Sequence, residues 1–209
     1  MKVEHIKLGL DHQAMLSRIP ERQPSATAVR LTNPNKHQSL LIVATYLSPN
    51  LDSKDLLRVF EEVEKVKKIQ EHVIIGGDFN AHHMEFGSEN TQLKGRIIKN
   101  FLNTAPYRIL NTGKSTYTKN KAALDLTFSS MNAYNNLSGW KVLKPLNWKY
   151  VRIIGQLNLN SNFQTRSNQN QLRNGILMQT KAHGYSSKNM LKMTPGFGLS
   201  SQRKKTLEI

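Results

Sequence analysis

Apolar positions along the chain switch between a period of two and a helical period. From Ala26 to Leu31 small or polar residues alternate with apolar ones, which predicts a strand. Gln38 to Tyr46 contains the unbroken run Leu40-Leu41-Ile42-Val43-Ala44, the pattern of a buried strand. Asn33-Pro34-Asn35 lies between the two and supplies turn residues, so a hairpin is predicted, and Ser48-Pro49-Asn50 ends its second strand. Leu56, Phe60, Val63, Val66 and Ile69 then recur at three- and four-residue steps with Lys and Glu between them, one apolar face of a helix. Asp52 or Ser53 can cap it. Val73-Ile74-Ile75 reads as a short buried strand that Gly76-Gly77 turns into a loop. A second helix is expected from Arg96 to Asn103, with Ile97, Ile98, Phe101 and Leu102 inward. Short strands are expected at 108–110, 116–118, 124–128 and 140–143. Strands alternating with helices predict an α/β or α+β layered domain.

After Pro145 the pattern stops. Residues 158–172 are mostly Asn, Gln, Ser, Thr and Arg. Such a segment buries too little apolar surface to offset chain entropy, and disorder is expected there. Charge changes at the same place. Up to Trp140 there are 18 Lys+Arg and 13 Asp+Glu, a net of +5; from Lys141 onward there are 12 Lys+Arg and one acid, a net of +11. The chain therefore divides into an unassigned segment 1–25, a partial domain 26–143 and a basic, polar tail 144–209 that is expected to be disordered. A basic tail suits a polyanionic partner, and it is equally what an unselected tail would look like. There are no cysteines among the 209 residues, which excludes disulfides and thiolate metal sites. No apolar run reaches the length of a membrane span, and the N-terminus has no signal-peptide core. The chain reads as soluble and intracellular.

The chemistry concentrates in Ile75-Gly76-Gly77-Asp78-Phe79-Asn80-Ala81-His82-His83. A carboxylate, a carboxamide and imidazoles stand where a buried strand ends. Asp78 could activate a water as general base, and Asn80 could donate to a phosphate oxygen as charge builds. The competing reading is an Asx turn, which Asp and Asn favour after strands. His82 and His83 invite a metal reading. Adjacent side chains on an extended segment point to opposite sides, so at most one would reach the site.

Gly77-Asp78-Phe79-Asn80-Ala81-His82-His83 followed by Phe86-Gly87-Ser88 resembles the central motif of the reverse-transcriptase-associated endonucleases of jockey-like non-LTR retrotransposons. These belong to the endonuclease/exonuclease/phosphatase superfamily. Trp usually stands there in place of Phe86. Collinear pieces accompany it. Tyr46-Leu47-Ser48-Pro49 resembles a Tyr-x-Pro-Pro segment, and Lys94-Gly95-Arg96 loosely resembles Asn-x-Arg-Gly. Leu110-Asn111-Thr112-Gly113-Lys114-Ser115-Thr116 resembles Leu-Asn-x-Gly-x-x-Thr, and Ala123-Leu124-Asp125-Leu126-Thr127-Phe128 resembles an Ile-Asp-Leu-Thr strand. Trp140-Lys141-Val142 resembles the Trp-x-Val that follows. The resemblance implies a two-sheet β-sandwich flanked by helices, DNase I-like, and Mg²⁺-dependent hydrolysis of DNA phosphodiesters. It makes Asp78 the acid or base, Asn80 the group orienting the phosphate, Tyr46 a phosphate contact, and Asp125 the carboxylate that polarises a catalytic histidine. Read on their own, Tyr46 is a half-buried strand aromatic and Asp125 a partner for a buried N–H. His82, His83 and Thr116 are expected near the substrate.

The resemblance is incomplete. The family's Asn strand and its cation-holding Glu have no counterpart before Ala26. After Trp140, Lys144-Pro145-Leu146-Asn147-Trp148 runs on without the Ser-Asp-His of the family, and the one later histidine, His183, has no acid beside it. The expectation is an incomplete copy, with the tail produced by a frameshift or false exon junction and with weak or no activity. Its partners would be DNA, RNA through the tail, and a reverse transcriptase in the parent polyprotein; its compartment, if functional, would be the nucleus. Two other readings stay open: a non-catalytic basic nucleic-acid-binding protein, and a gene remnant with no function.

Overall fold

The computed structural model describes residues 2–10, 24–33, 38–117, 121–143, 150–157, 175–181, 190–194 and 207–208. The chain-order strands are β1 Lys2–Ile6, β2 Ser25–Asn33, β3 Gln38–Tyr46, β4 His72–Asp78, β5 Tyr107–Ile109, β6 Asp125–Ser130, β7 Leu137–Leu143, β8 Tyr150–Leu157, β9 Gly175–Lys181, β10 Met190–Thr194 and β11 Leu207–Glu208. The helices are α1 Arg58–Val66, α2 Leu93–Thr104 and α3 Met131–Tyr134.

Six strands form one mixed sheet in the order β1-β2-β3-β4-β6-β5. The hairpin read from the sequence is present: β2 and β3 pair antiparallel from Ser25↔Tyr46 to Asn33↔Gln38. β3 runs parallel to β4, with α1 in the crossover between them, and β4 pairs antiparallel with β6. The segment 1–25, left unassigned by sequence, supplies an edge strand, since β1 pairs with β2. Its side chains are largely exposed, so no periodic apolar signal marks it.

Alternation along these strands gives the sheet two different faces. Leu41, Val43, Val73, Ile75, Leu126 and Phe128 point to the helical side and join Val59, Phe60 and Val63 of α1 and Ile98 of α2 in the main core. Phe60 is the hub, with ring centroids 4.7 Å from Phe101, 5.3 Å from Phe128 and 5.4 Å from Tyr107. The other face carries Val29, Leu31, Leu40, Ile42 and Ile74, and Leu137 and Trp140 of β7 pack against it. β7 opens a second, five-stranded sheet in the order β11-β10-β9-β8-β7. One sheet thus has helices on one face and a second sheet on the other, the sandwich expected from the resemblance.

Several boundaries differ from the sequence reading. A 3-10 turn at Ser53–Asp55 precedes α1, and Asp52 caps it by accepting from the Lys54 N–H at 3.1 Å. The apolar period predicts a helix reaching Ile69, but α1 stops at Val66 and Ile69 is 96% exposed. A buried ion pair decides this. Arg30 donates to Glu71 at 2.6 Å and to the Val66 carbonyl at 2.6 Å, drawing the chain into a turn before another helical turn can form. Gly76-Gly77 does not end β4; the strand runs through both to Asp78, because each is paired on both sides. The strand expected at 116–118 reduces to a single bridge, Tyr117↔Ala122, and Thr118 lies outside the described residues. In the basic segment 144–209, where disorder was expected, β8 to β11 are described as paired strands. Short apolar runs such as Val151-Arg152-Ile153-Ile154 and Ile176-Leu177-Met178 carry them, and the polar composition around those runs hides them from a composition argument. Residues 158–172 lie outside the described residues.

Candidate active site

The sheet brings three of the expected residues into one cross-strand row. Tyr46 ends β3 opposite Asp78 at the end of β4, and Asp78 is opposite Asp125 at the start of β6. Tyr46 follows Leu40, Ile42 and Ala44 on the same face of β3, and Asp78 follows Ile74 and Gly76 on the same face of β4. The row therefore stands at the rim of the face that the second sheet covers. Gly77 sets the spacing. A Cβ built on it would lie 1.8 Å from the Thr45 carbonyl oxygen, so only glycine lets β4 lie this close to β3 beside Asp78.

Beyond the row the chain folds back over Asp78. Leu47 N–H donates to the Asp78 carbonyl at 2.8 Å and Phe79 N–H to the Leu124 carbonyl at 2.9 Å. Asn80 takes a left-handed conformation with φ 46°. Its N–H donates to Asp78 Oδ1 at 3.0 Å, and its carboxamide donates to the Leu47 carbonyl at 2.9 Å. The Asx turn is thus present, and it holds the Asp78 carboxylate and the Asn80 amide side by side. The structural and the catalytic readings of this motif are compatible.

Burial pushes the Asp78 carboxyl up to about 7, and the neighbouring Asp125 carboxyl adds to the rise; the Asn80 hydrogen bonds oppose it. Asp125 itself is buried. A carboxyl that changes protonation near neutral pH can serve as acid or base in proton transfer.

The other expected residues divide. His83 is used locally: its Nδ1 accepts from the Glu85 N–H at 3.2 Å, and its ring packs on Phe86 with centroids 4.8 Å apart. Its capped turn carries Phe86 into the core. His82 is half-buried, and burial lowers its imidazole below the usual range. Gly95 lies against its backbone, where a Cβ would come within 1.9 Å of the His82 carbonyl oxygen. Thr116 is buried, and its hydroxyl oxygen accepts from both Leu124 N–H and Asp125 N–H at 3.0 Å. Thr116 therefore sits behind Asp125 as part of its support.

Sequence reading passed over the roles of several neighbours. Lys94 donates to the carbonyls of Ser48 and Pro49 at 3.0 and 2.6 Å, tying α2 to the loop after Tyr46. Ser88 Oγ accepts from the Ala123 N–H at 3.1 Å. Asn111 donates to the Asp125 carbonyl and accepts from the Thr127 N–H, both at 2.9 Å. These residues stand in or beside motif pieces, but the groups they bind are backbone atoms of distant segments, which a motif cannot show.

Magnesium takes hard oxygens, one or two from carboxylates and the rest from water and phosphate. Among the described residues no three His, Asp or Glu side chains converge as a cation site. Magnesium there would therefore draw most of its ligands from water and phosphate. His183 lies outside the described residues.

A family model described as endonuclease-reverse transcriptase matches residues 40–149. Among solved structures, the chain is similar to the endonuclease domain of TRAS1, a telomere-specific non-LTR retrotransposon. The identity is 22% over 56% of this chain and 54% of that one, with a TM-score of 0.50. It also matches the catalytic domain of human nocturnin, at 17% identity over 71% and 53% of the two chains and a TM-score of 0.39. An endonuclease/exonuclease/phosphatase family protein from Bacteroides thetaiotaomicron matches at 14% identity over 60% and 49%, with a TM-score of 0.35. The chain spans about half the length of each of these. No curated protein matches it. With the motif pieces, the sandwich and the model match covering more than half of its length in agreement, the chain belongs to the endonuclease-reverse transcriptase family of the endonuclease/exonuclease/phosphatase superfamily.

Proposed function

We propose that the chain is a retrotransposon-type endonuclease domain that engages DNA phosphodiesters, with weak or no hydrolysis as its residues stand. The observation that carries this reading is the row Tyr46, Asp78, Asp125 with Asn80 folded beside it. Tyr46 and Asn80 contact the phosphate, and Asp78 moves the proton. Asp125 supports Asp78 and would orient a histidine. Mg²⁺, when bound, would polarise the phosphate and stabilise the leaving oxygen. A third ligand for it is not among the described residues. A cooperating catalytic set loses most of its rate when one member is removed, which is why turnover is proposed to be weak. The parent protein would carry a reverse transcriptase and work in the nucleus.

A second reading, non-catalytic binding of DNA or RNA through the basic segment, is favoured by one observation: the net charge of +11 from Lys141 onward. Supercoiled plasmid incubated with the chain and Mg²⁺ tests the first reading. Little or no nicking above background is expected. Robust nicking that Asp78→Ala abolishes would overturn the weak-turnover proposal and keep the nuclease. Robust nicking that survives Asp78→Ala would overturn the site.

A further inference from the structure

Asp125 is held by two different kinds of neighbour. Toward β4 its strand makes ordinary sheet pairs. Toward the other side the partner strand has already ended: β5 stops at Ile109, and its last ladder bond runs from the Leu110 N–H to the Thr127 carbonyl at 2.8 Å. The next backbone groups of β6 on that side are the Thr127 N–H, the Asp125 carbonyl and the Asp125 N–H. All three are taken by side chains. The Asn111 carboxamide accepts from Thr127 N–H and donates to the Asp125 carbonyl, both at 2.9 Å. The Thr116 hydroxyl oxygen takes the Asp125 N–H at 3.0 Å. A carboxamide offers one donor and one acceptor with the geometry of a peptide group, so it can stand in for a missing strand. Buried backbone groups need such partners, and Asp125 and Thr127 are both buried.

We propose that Asn111 is a positioning residue for the carboxylate row: its carboxamide, with the Thr116 hydroxyl, replaces a neighbouring strand beside Asp125 and fixes the Asp125 carboxyl against Asp78. The arrangement lets the backbone leave the sheet after Leu110, which keeps this end of the row free of a covering strand. The proposal rests on the reading of the row as the active site, but its test needs no turnover.

The test is ¹³C-carboxyl NMR titration of Asp78 in the full chain, for the wild type and for Asn111→Ala, Asn111→Ser, Thr116→Val and Thr116→Ser, each with its melting temperature. Burial, and after it the neighbouring Asp125 carboxyl, push the Asp78 carboxyl up to about 7 in the wild type. With the clamp broken in Asn111→Ala or Thr116→Val, the midpoint should fall toward the ordinary aspartate value by about one unit or more. Thr116→Ser keeps the oxygen and should restore it. Ser130→Ala is the control: Ser130 Oγ accepts from the Val73 N–H, so the variant loses a bond to β4 at the far end of β6 and should melt earlier without moving Asp78. If Asn111→Ala does not fold, Asn111→Ser and Thr116→Val decide. Lowered melting with an unmoved Asp78 midpoint would overturn the proposal and leave Asn111 with a role in stability alone. Robust nicking that survives Asp78→Ala, together with a shifted midpoint, would instead count against the row as the active site and leave the clamp standing.

Discussion

Asp78 and Asp125 are register partners across the antiparallel pair of β4 and β6, two carboxyls at one rim of the sheet, Asp125 buried and Asp78 half-buried. Two such groups cannot both ionise freely, and the pair keeps a proton that isolated aspartates would lose.

This pair makes stability depend on pH. Asp78 holds its proton more tightly folded than unfolded, with its value raised from 3.8 to about 7. Its stabilising contribution is fully present below the lower value and is lost as pH rises through the higher one. Urea-unfolding free energy of the wild type should therefore fall between pH 4 and 7 relative to Asp78→Asn, which lacks the titrating group. Parallel curves for the two proteins would show that Asp78 titrates as an exposed aspartate does.

Gly77→Ala should disturb the row from its base. The added methyl would meet the Thr45 carbonyl at 1.8 Å, and a backbone oxygen cannot rotate away as a side chain would. The expected loss is about 1–3 kcal/mol, as for other forced insertions into packed structure. Broadened or shifted amide resonances at Tyr46 and Asp125 should accompany it. An alanine variant as stable as wild type, with unmoved resonances, would refute the close β3–β4 approach.

The Arg30–Glu71 pair, both side chains almost fully buried, should behave asymmetrically. Glu71→Ala leaves the guanidinium buried without its carboxylate and should cost about 3–5 kcal/mol. Replacing both, as Arg30→Met with Glu71→Leu, should cost far less. Denaturant midpoints of the single and double variants measure this. A double variant as unstable as the single one would mean the pair acts through the turn geometry around Val66 and Lys68, not through charge burial.

Binding to a short DNA duplex should be steeply salt-dependent and nearly indifferent to sequence, since phosphate contacts carry no base information. With about half a dozen contacts the slope of log K against log salt would be about −5. Neutralising Arg203-Lys204-Lys205 with glutamine should flatten the slope by about 3 if each meets a phosphate. Fluorescence anisotropy across a salt series reads it. An unchanged slope would move the binding surface off the basic segment.

What the sequence determined by itself is local. The β2–β3 hairpin, the apolar face of α1 and the inward side of α2 were legible because a face that must be buried imposes its period on a single segment. The family was legible because Gly77-Asp78-Phe79-Asn80 and the Leu110–Thr116 stretch recur in fixed order. The tertiary structure decided what depends on pairing between distant segments. It ended α1 at Val66, because Arg30 from β2 takes the Val66 carbonyl. It carried β4 through Gly76-Gly77, because strands on both sides hold those residues in register. It gave Thr116 and Asn111 to the backbone of β6 and spent His83 on a cap, since a side chain's partner is chosen by packing and not by its neighbours in sequence. It also set Asp78 beside Asp125, 47 positions along the chain, and that contact, with burial, gives an ordinary aspartate a proton at neutral pH.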